Sequence, residues 1–129
     1  MRLLVIEDDA TLRESLTRRL GESGFAVEQA ADGKEGLYFA SEYPIDLAIV
    51  DLGLPGMSGI EGIRILAGRY PSLQMLMLTV YDDDDRIFDA LCAGATGYLL
   101  KKTPPVRILE SLREAAMGGS PMSPEVVRR

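Results

Sequence analysis

The sequence predicts a doubly wound α/β domain, and three observations carry that prediction. Five short apolar runs recur along the 129 residues, segments of helical period lie between them, and capping signals stand where strand gives way to helix. A regular strand–helix alternation of this kind implies a parallel sheet with helices on both faces.

The elements follow in order. The first run, RLLVI at residues 2–6, is followed by Leu12, Leu16 and Leu20, spaced i, i+4, i+8 on one face of a helix. The second, FAVEQA at 25–30, is the least apolar because Glu28 and Gln29 lie inside it, which predicts an edge strand. The third, DLAIV at 46–50, is apolar on both faces as a buried parallel strand requires, and it ends in Asp51 and a Leu-Gly-Leu-Pro-Gly break. After the break, Ser58 and Glu61 form an S-x-x-E capping box, and Ile60, Ile63 and Leu66 restore the helical period. The fourth run, QMLML at 74–78, leads to Asp82–Asp85, acid placed where a helix N-terminus favours it. The fifth, TGYLL at 96–100, is followed by Thr103 and Pro104, read as an N-cap with Pro in the first turn. With the second run at an edge, a flavodoxin-like strand order 2-1-3-4-5 is expected.

The chain reads as one domain over residues 1–117. The stretch GGSPMSPEVVRR at 118–129 shifts composition and reads as a linker toward an absent C-terminal domain, with Ser123-Pro124-Glu125 as a new helix start. A domain of this length buries roughly two thirds of its unfolded surface and needs no staple. The 47% hydrophobic content fits a globular chain, and 14 basic against 20 acidic residues leave a net charge of −6, which disfavours nucleic acid as a partner of this domain itself. A single Cys92 excludes an intramolecular disulfide, no apolar run reaches membrane-span length, and Arg2 followed by four apolar residues before Glu7 lacks a signal-peptide pattern. A cytoplasmic location is expected. The chain has no histidine, which removes His-based triads, most zinc sites and any internal phosphohistidine, so acid-base work falls to carboxylates and lysine.

In an open parallel sheet ligands bind beyond the carboxyl ends of the strands, so the first polar residues after each run carry the information. They are Glu7, Asp8 and Asp9 after the first run, Asp51 after the third, Thr79 after the fourth, and Lys101 and Lys102 after the fifth. Carboxylates brought this close repel by roughly 4 kcal/mol per pair at 4 Å in an effective dielectric near 20. A divalent cation relieves that repulsion, and oxygen ligands without thiol or imidazole suit Mg²⁺. Beside such a cation Asp51 is placed to attack a phosphoryl group and form an aspartyl phosphate, with Lys101 and Thr79 on the phosphoryl oxygens.

The pattern resembles the receiver domain of two-component response regulators, from Met1 to about Met117. The residues that carry the likeness are Glu7-Asp8 in VIEDD, Asp51 in VDLGLPGMSG, Thr79 in LMLTVYDDDD and Lys101 in GATGYLLKK, with 28 residues from Asp51 to Thr79 and 22 from Thr79 to Lys101. The resemblance implies that Asp51 is the phosphoacceptor, charged by a sensor histidine kinase. It implies that Asp8, Asp51 and the backbone carbonyl of Gly53 ligate Mg²⁺, with Glu7 acting through water. It further implies a switch in which Thr79 is drawn toward the phosphate and Tyr98 turns into the space it leaves, changing the face of the fourth helix, fifth strand and fifth helix. GYLLKKTPP, the acidic YDDDD and the tail are similar to LuxR/NarL-type transcriptional regulators, in which such a linker leads to a helix-turn-helix domain. DNA binding would belong to that absent segment, and a homodimer is expected on phosphorylation. The family catalyses only its own aspartyl phosphorylation and dephosphorylation and is not otherwise an enzyme.

Two positions depart from the family. Lys102 stands where Pro often follows the lysine behind a cis bond, and Val80 follows Thr79 where a smaller residue is usual, which predicts slow loss of phosphate. A haloacid-dehalogenase-like phosphotransferase would need a general-acid Asp at position 53, which is Gly, and a dinucleotide-binding domain would need a G-x-G-x-x-G after the first strand. The alternative kept open is a receiver-like interaction module that works without phosphate. Among other residues, Met75, Met77 and Cys92 read as core, Tyr38 and Tyr43 as local packing, and Lys102 as solvated.

Overall fold

The computed structural model describes residues 1–51, 59–80, 84–119 and 122. Five strands and five helices alternate along them: β1 Arg2–Ile6, α1 Ala10–Glu22, β2 Ala26–Ala30, α2 Gly33–Glu42, β3 Leu47–Val50, α3 Gly59–Arg69, β4 Gln74–Thr79, α4 Asp84–Ala93, β5 Gly97–Leu100 and α5 Pro105–Ala116. All strands are parallel, in the order β2-β1-β3-β4-β5, the flavodoxin-like arrangement expected from the sequence.

Each face of the sheet buries alternate residues of the same strands, because successive side chains of a strand point to opposite sides. Leu3, Val5, Leu47, Ile49, Leu76, Leu78 and Leu99 pack under α1 and α5, whereas Leu4, Ile6, Ala48, Val50, Met75, Met77, Tyr98 and Leu100 pack under α2, α3 and α4. The three central strands are therefore apolar on both faces between their polar ends, and β2, with Val27 and Glu28 only half-buried, lies at the edge. Gly36 lets α2 sit close on β1: a Cβ there would lie 2.5 Å from Cδ1 of Ile6. Met75 and Met77 are buried as expected, and Tyr38 and Phe39 on α2 form a local aromatic row with Tyr43 at its C-cap.

Two expectations are corrected. Cys92 is exposed, not core, because the buried stripe of α4 runs through Ile87, Ala90 and Ala93, and a position two residues beyond Ala90 lies about 200° around the helix. The N-cap of α5 is Pro104 and not Thr103. Pro105 takes the first helical position, and a residue preceding proline is pushed out of the α region, so Pro104 is held extended at φ −58° and ψ 144°. Its carbonyl still accepts from the N–H groups of Arg107 and Ile108. Ser58, Gly53, Asp82 and Asp83 lie outside the described residues, so the capping box and the start of the acidic run are not part of this description.

Candidate functional site

The site lies at the carboxyl edge of the sheet because β1, β3, β4 and β5 all end there. Pairing carries each polar residue one step past its strand: the Glu7 N–H donates to the Ala30 carbonyl, the Asp51 N–H to the Ile6 carbonyl and the Lys101 N–H to the Thr79 carbonyl, at 3.0, 3.0 and 2.7 Å. These bonds extend the ladder, so the side chains inherit the rigidity of the sheet.

Glu7, Asp8 and Asp51 meet closely enough that one carboxylate oxygen from each lies within 4.8 Å of the other two. Glu7 and Asp51 are buried and Asp8 is exposed. Lys101 reaches in from the end of β5, with Nζ 2.8 Å from Oε1 of Glu7 and 3.4 Å from Oδ2 of Asp51. Thr79, wholly buried at the end of β4, completes the four strand ends.

Among the described residues one ammonium is paired with these carboxylates, and the protonation equilibria reflect the crowding. Burial pushes the Glu7 carboxyl up to about 7; hydrogen bonds from Lys101 and from the Asp9 N–H pull against that rise, and the charge of Asp51 adds to it. The Asp8 carboxyl is held below its ordinary value, chiefly by a hydrogen bond with Glu7. For Lys101, burial pulls the ammonium down, but the hydrogen bond to Glu7 and the charge of Asp51 outweigh it and leave the pKa above that of an ordinary lysine. A proton held on Glu7 is one way for the three acids to coexist; a divalent cation is the other. The donor set fits Mg²⁺, since it offers carboxylate oxygens with Asp8 open to solvent for the waters that ion retains.

The sequence grouped Asp9 and Lys102 with these residues, and the structure gives both other places. Asp9 caps α1, its carboxylate accepting from the Leu12 N–H at 3.2 Å while its own N–H donates to Oε2 of Glu7 at 3.1 Å. Lys102 is exposed and, with Val80, Leu100 and Lys101, lines a cavity of about 190 Å³. No cis peptide occurs among the described residues, so the Lys101–Lys102 bond is trans. Sequence reasoning missed Arg13, whose Nη1 donates to the Glu7 carbonyl at 2.8 Å and holds the turn that presents the acidic pair. Its only signal was a cationic residue one helical turn beyond the Asp9 cap.

The model of the response regulator receiver domain matches residues 3–113. The chain belongs to that family. It is 48% identical over 101 residues to the two-component response regulator PhoP of Pseudomonas aeruginosa, an alignment covering 78% of this chain and 45% of PhoP. The crystal structure of a LuxR-family two-component response regulator from Aurantimonas superposes with a TM-score of 0.93 at 29% identity, covering 98% of this receiver domain and 92% of that chain. A response regulator from Burkholderia pseudomallei, solved with a phosphorylated aspartic acid, calcium ion and citrate, superposes with a TM-score of 0.82 at 32% identity over 91% of this chain and 69% of that one. The receiver chain spans about half the length of the curated relatives it matches. No described helix is long and apolar enough to cross a membrane.

Proposed function

We propose that this receiver domain is the phosphoryl-accepting switch of a cytoplasmic two-component system, charged on Asp51 by a sensor histidine kinase. Lys101 carries the reading, since its one ammonium contacts both Glu7 and Asp51 and so stands beside the oxygen that would be esterified. An Oδ atom of Asp51 attacks phosphorus, the donor's N–P bond breaks, and the departing imidazole takes its proton from solvent. Asp51 is held for this by its own N–H on the Ile6 carbonyl. Lys101 neutralises charge on the phosphoryl oxygens, and the Thr79 hydroxyl donates to one of them.

Asp8 and Asp51, with the backbone carbonyl of Gly53, would hold Mg²⁺, Glu7 acting through water, and the bound ion would neutralise charge on the phosphoryl oxygens. After transfer, Thr79 moves toward the phosphoryl group and Tyr98 fills the space behind it. Tyr98 is already at 0% exposure within the layer under α2, α3 and α4, the position this switch assigns to the charged state. The altered surface promotes a homodimer and controls transcription through a DNA-binding domain following the 118–129 linker. Val80, 69% exposed directly after Thr79, slows hydrolysis of the acyl phosphate.

Mass spectrometry after incubation with acetyl phosphate and Mg²⁺ tests the reading. One phosphoryl group is expected on the unaltered chain and none on Asp51→Asn. Retention of the phosphoryl group by Asp51→Asn would move the acceptor elsewhere, and an unmodified wild type would favour a module that binds partners without phosphate.

A further inference from the structure

Glu7 is fastened at every polar atom it carries. Its N–H donates to the Ala30 carbonyl at 3.0 Å, its carbonyl accepts from Nη1 of Arg13 at 2.8 Å, Oε1 lies 2.8 Å from Nζ of Lys101, and Oε2 accepts from the Asp9 N–H at 3.1 Å. Three of these contacts belong to the sheet edge and to the turn before α1. The fourth comes from a half-buried arginine in the first turn of α1 that reaches back to the backbone of β1's last step. Arg13 is itself held, since its N–H donates to the Asp9 carbonyl at 2.9 Å and its carbonyl accepts from the Thr17 hydroxyl at 2.8 Å.

The Glu7 carbonyl and the Asp8 N–H belong to one planar peptide group, so a bond that fixes the carbonyl fixes the direction in which the chain enters Asp8. On the far side Asp9 is fixed as the cap of α1, its carboxylate on the Leu12 N–H. Asp8 therefore hangs between two anchored residues. It is also the exposed member of the three acids, so packing does less to orient it than the backbone on either side. The Arg13 bond suits that task, because a charged donor holds a carbonyl more strongly than a neutral one and the planar guanidinium fork gives the bond a direction.

We propose that Arg13 is a positioning residue for the cation site: it orients the Glu7–Asp8 peptide so that the Asp8 carboxylate meets that of Asp51 around Mg²⁺. The role depends on the Mg²⁺ site proposed above. Its sign separates it from a charge effect. A guanidinium near a divalent cation repels it, so an Arg13 that acted through charge alone would, on removal, tighten Mg²⁺ binding. Removal of a group that orients a metal ligand weakens binding, by about ten- to a hundredfold.

NMR titration of the full chain with MgCl₂ measures the Kd of wild type, Arg13→Met, Arg13→Lys and Arg18→Met, and amide hydrogen exchange at Asp9 is followed in the same proteins before metal is added. Arg13→Met is expected to weaken Mg²⁺ binding by about tenfold or more and to speed exchange of the Asp9 amide, whose acceptor is Glu7. Arg13→Lys, which keeps a charged donor without the fork, is expected to fall between Arg13→Met and wild type. Arg18→Met removes an exposed cation from the same helix and is expected to leave the affinity unchanged. Mg²⁺ bound by Arg13→Met as tightly as by wild type, or more tightly, overturns the positioning role and leaves the cation site intact, as does an equal loss in Arg18→Met. Where Arg13→Met does not fold, an affinity in Arg13→Lys equal to or above that of wild type overturns it likewise. Absence of Mg²⁺ uptake by the wild type removes the cation site and the role of Arg13 with it.

Discussion

The two ends of the sheet handle charge in opposite ways. At the amino edge each charge is settled locally: the Arg2 guanidinium pairs with Glu28 at 2.6 Å and lies over the Tyr43 ring, while Asp46 accepts from the Arg2 N–H at 2.8 Å. A cavity of about 370 Å³ opens nearby between Tyr43, Pro44, Tyr70 and Leu73, without a cluster of like charges among its lining residues. At the carboxyl edge three acids share one ammonium, and two of those acids are buried. Both ends belong to one rigid parallel sheet, so the contrast comes from side chains and not from backbone. Crowded like charge is held at one end and paired off at the other, as the proposed cation and phosphoryl site requires.

The comparison breaks most visibly at Lys101. Lys101→Met takes the ammonium from Glu7 and should lower the rate of phosphoryl uptake by about a hundredfold, as for loss of one charge-stabilising donor, read by mass spectrometry over time. Without divalent cations it should also cost about 2 kcal/mol by urea denaturation, less than a fully buried pair because the lysine side chain is 20% exposed.

Next comes pH. The Glu7 carboxyl titrates near 7 in the folded chain against an ordinary 4.5, so the folded state binds this proton more tightly than the unfolded state. Its stabilising contribution is complete below about 4.5 and is lost as pH rises through about 7. Metal-free protein should therefore lose stability across that window, and Glu7→Gln should flatten the curve; equal slopes in the two proteins would refute the assignment.

Asp51→Asn sharpens the comparison with the opposite sign. It removes one of the crowded charges, and in the presence of a chelator should stabilise the fold by about 1 kcal/mol; the wild type is expected to gain thermal stability on addition of Mg²⁺ and Asp51→Asn to gain none. The smallest effect belongs to the amino edge. Arg2→Ala should cost less than about 1 kcal/mol, as for exposed pairs, and leave phosphoryl uptake unchanged.

Much of this could be read before any coordinates, because strands buried on both faces leave little choice. Leu47–Val50 and Met75–Leu78 are apolar without interruption, and Glu28 with Gln29 marks the one strand whose exposure sets the edge. The strand-end rule pointed to Glu7, Asp8, Asp51, Thr79 and Lys101, and of these the structure brings Glu7, Asp8, Asp51 and Lys101 into contact distance. What escaped depends on rotation and on competition between neighbours. Cys92 required knowing which stripe of α4 turns inward, and Pro104 required weighing one proline against the next. The cap made by Asp9, the brace from Arg13 and the return of Met122 to β5 are contacts between side chain and backbone, or across the whole of α5, and local pattern does not register them.

The cation that partners Glu7 and Asp51 is supplied by β5, the final strand, fifty residues after the aspartate. A nascent polypeptide emerging from the ribosome therefore has its acids long before it has its lysine. On the reading proposed above, a growing chain that has not yet exposed Lys101 and paired β5 with β4 would take up phosphoryl groups far more slowly than the folded receiver domain.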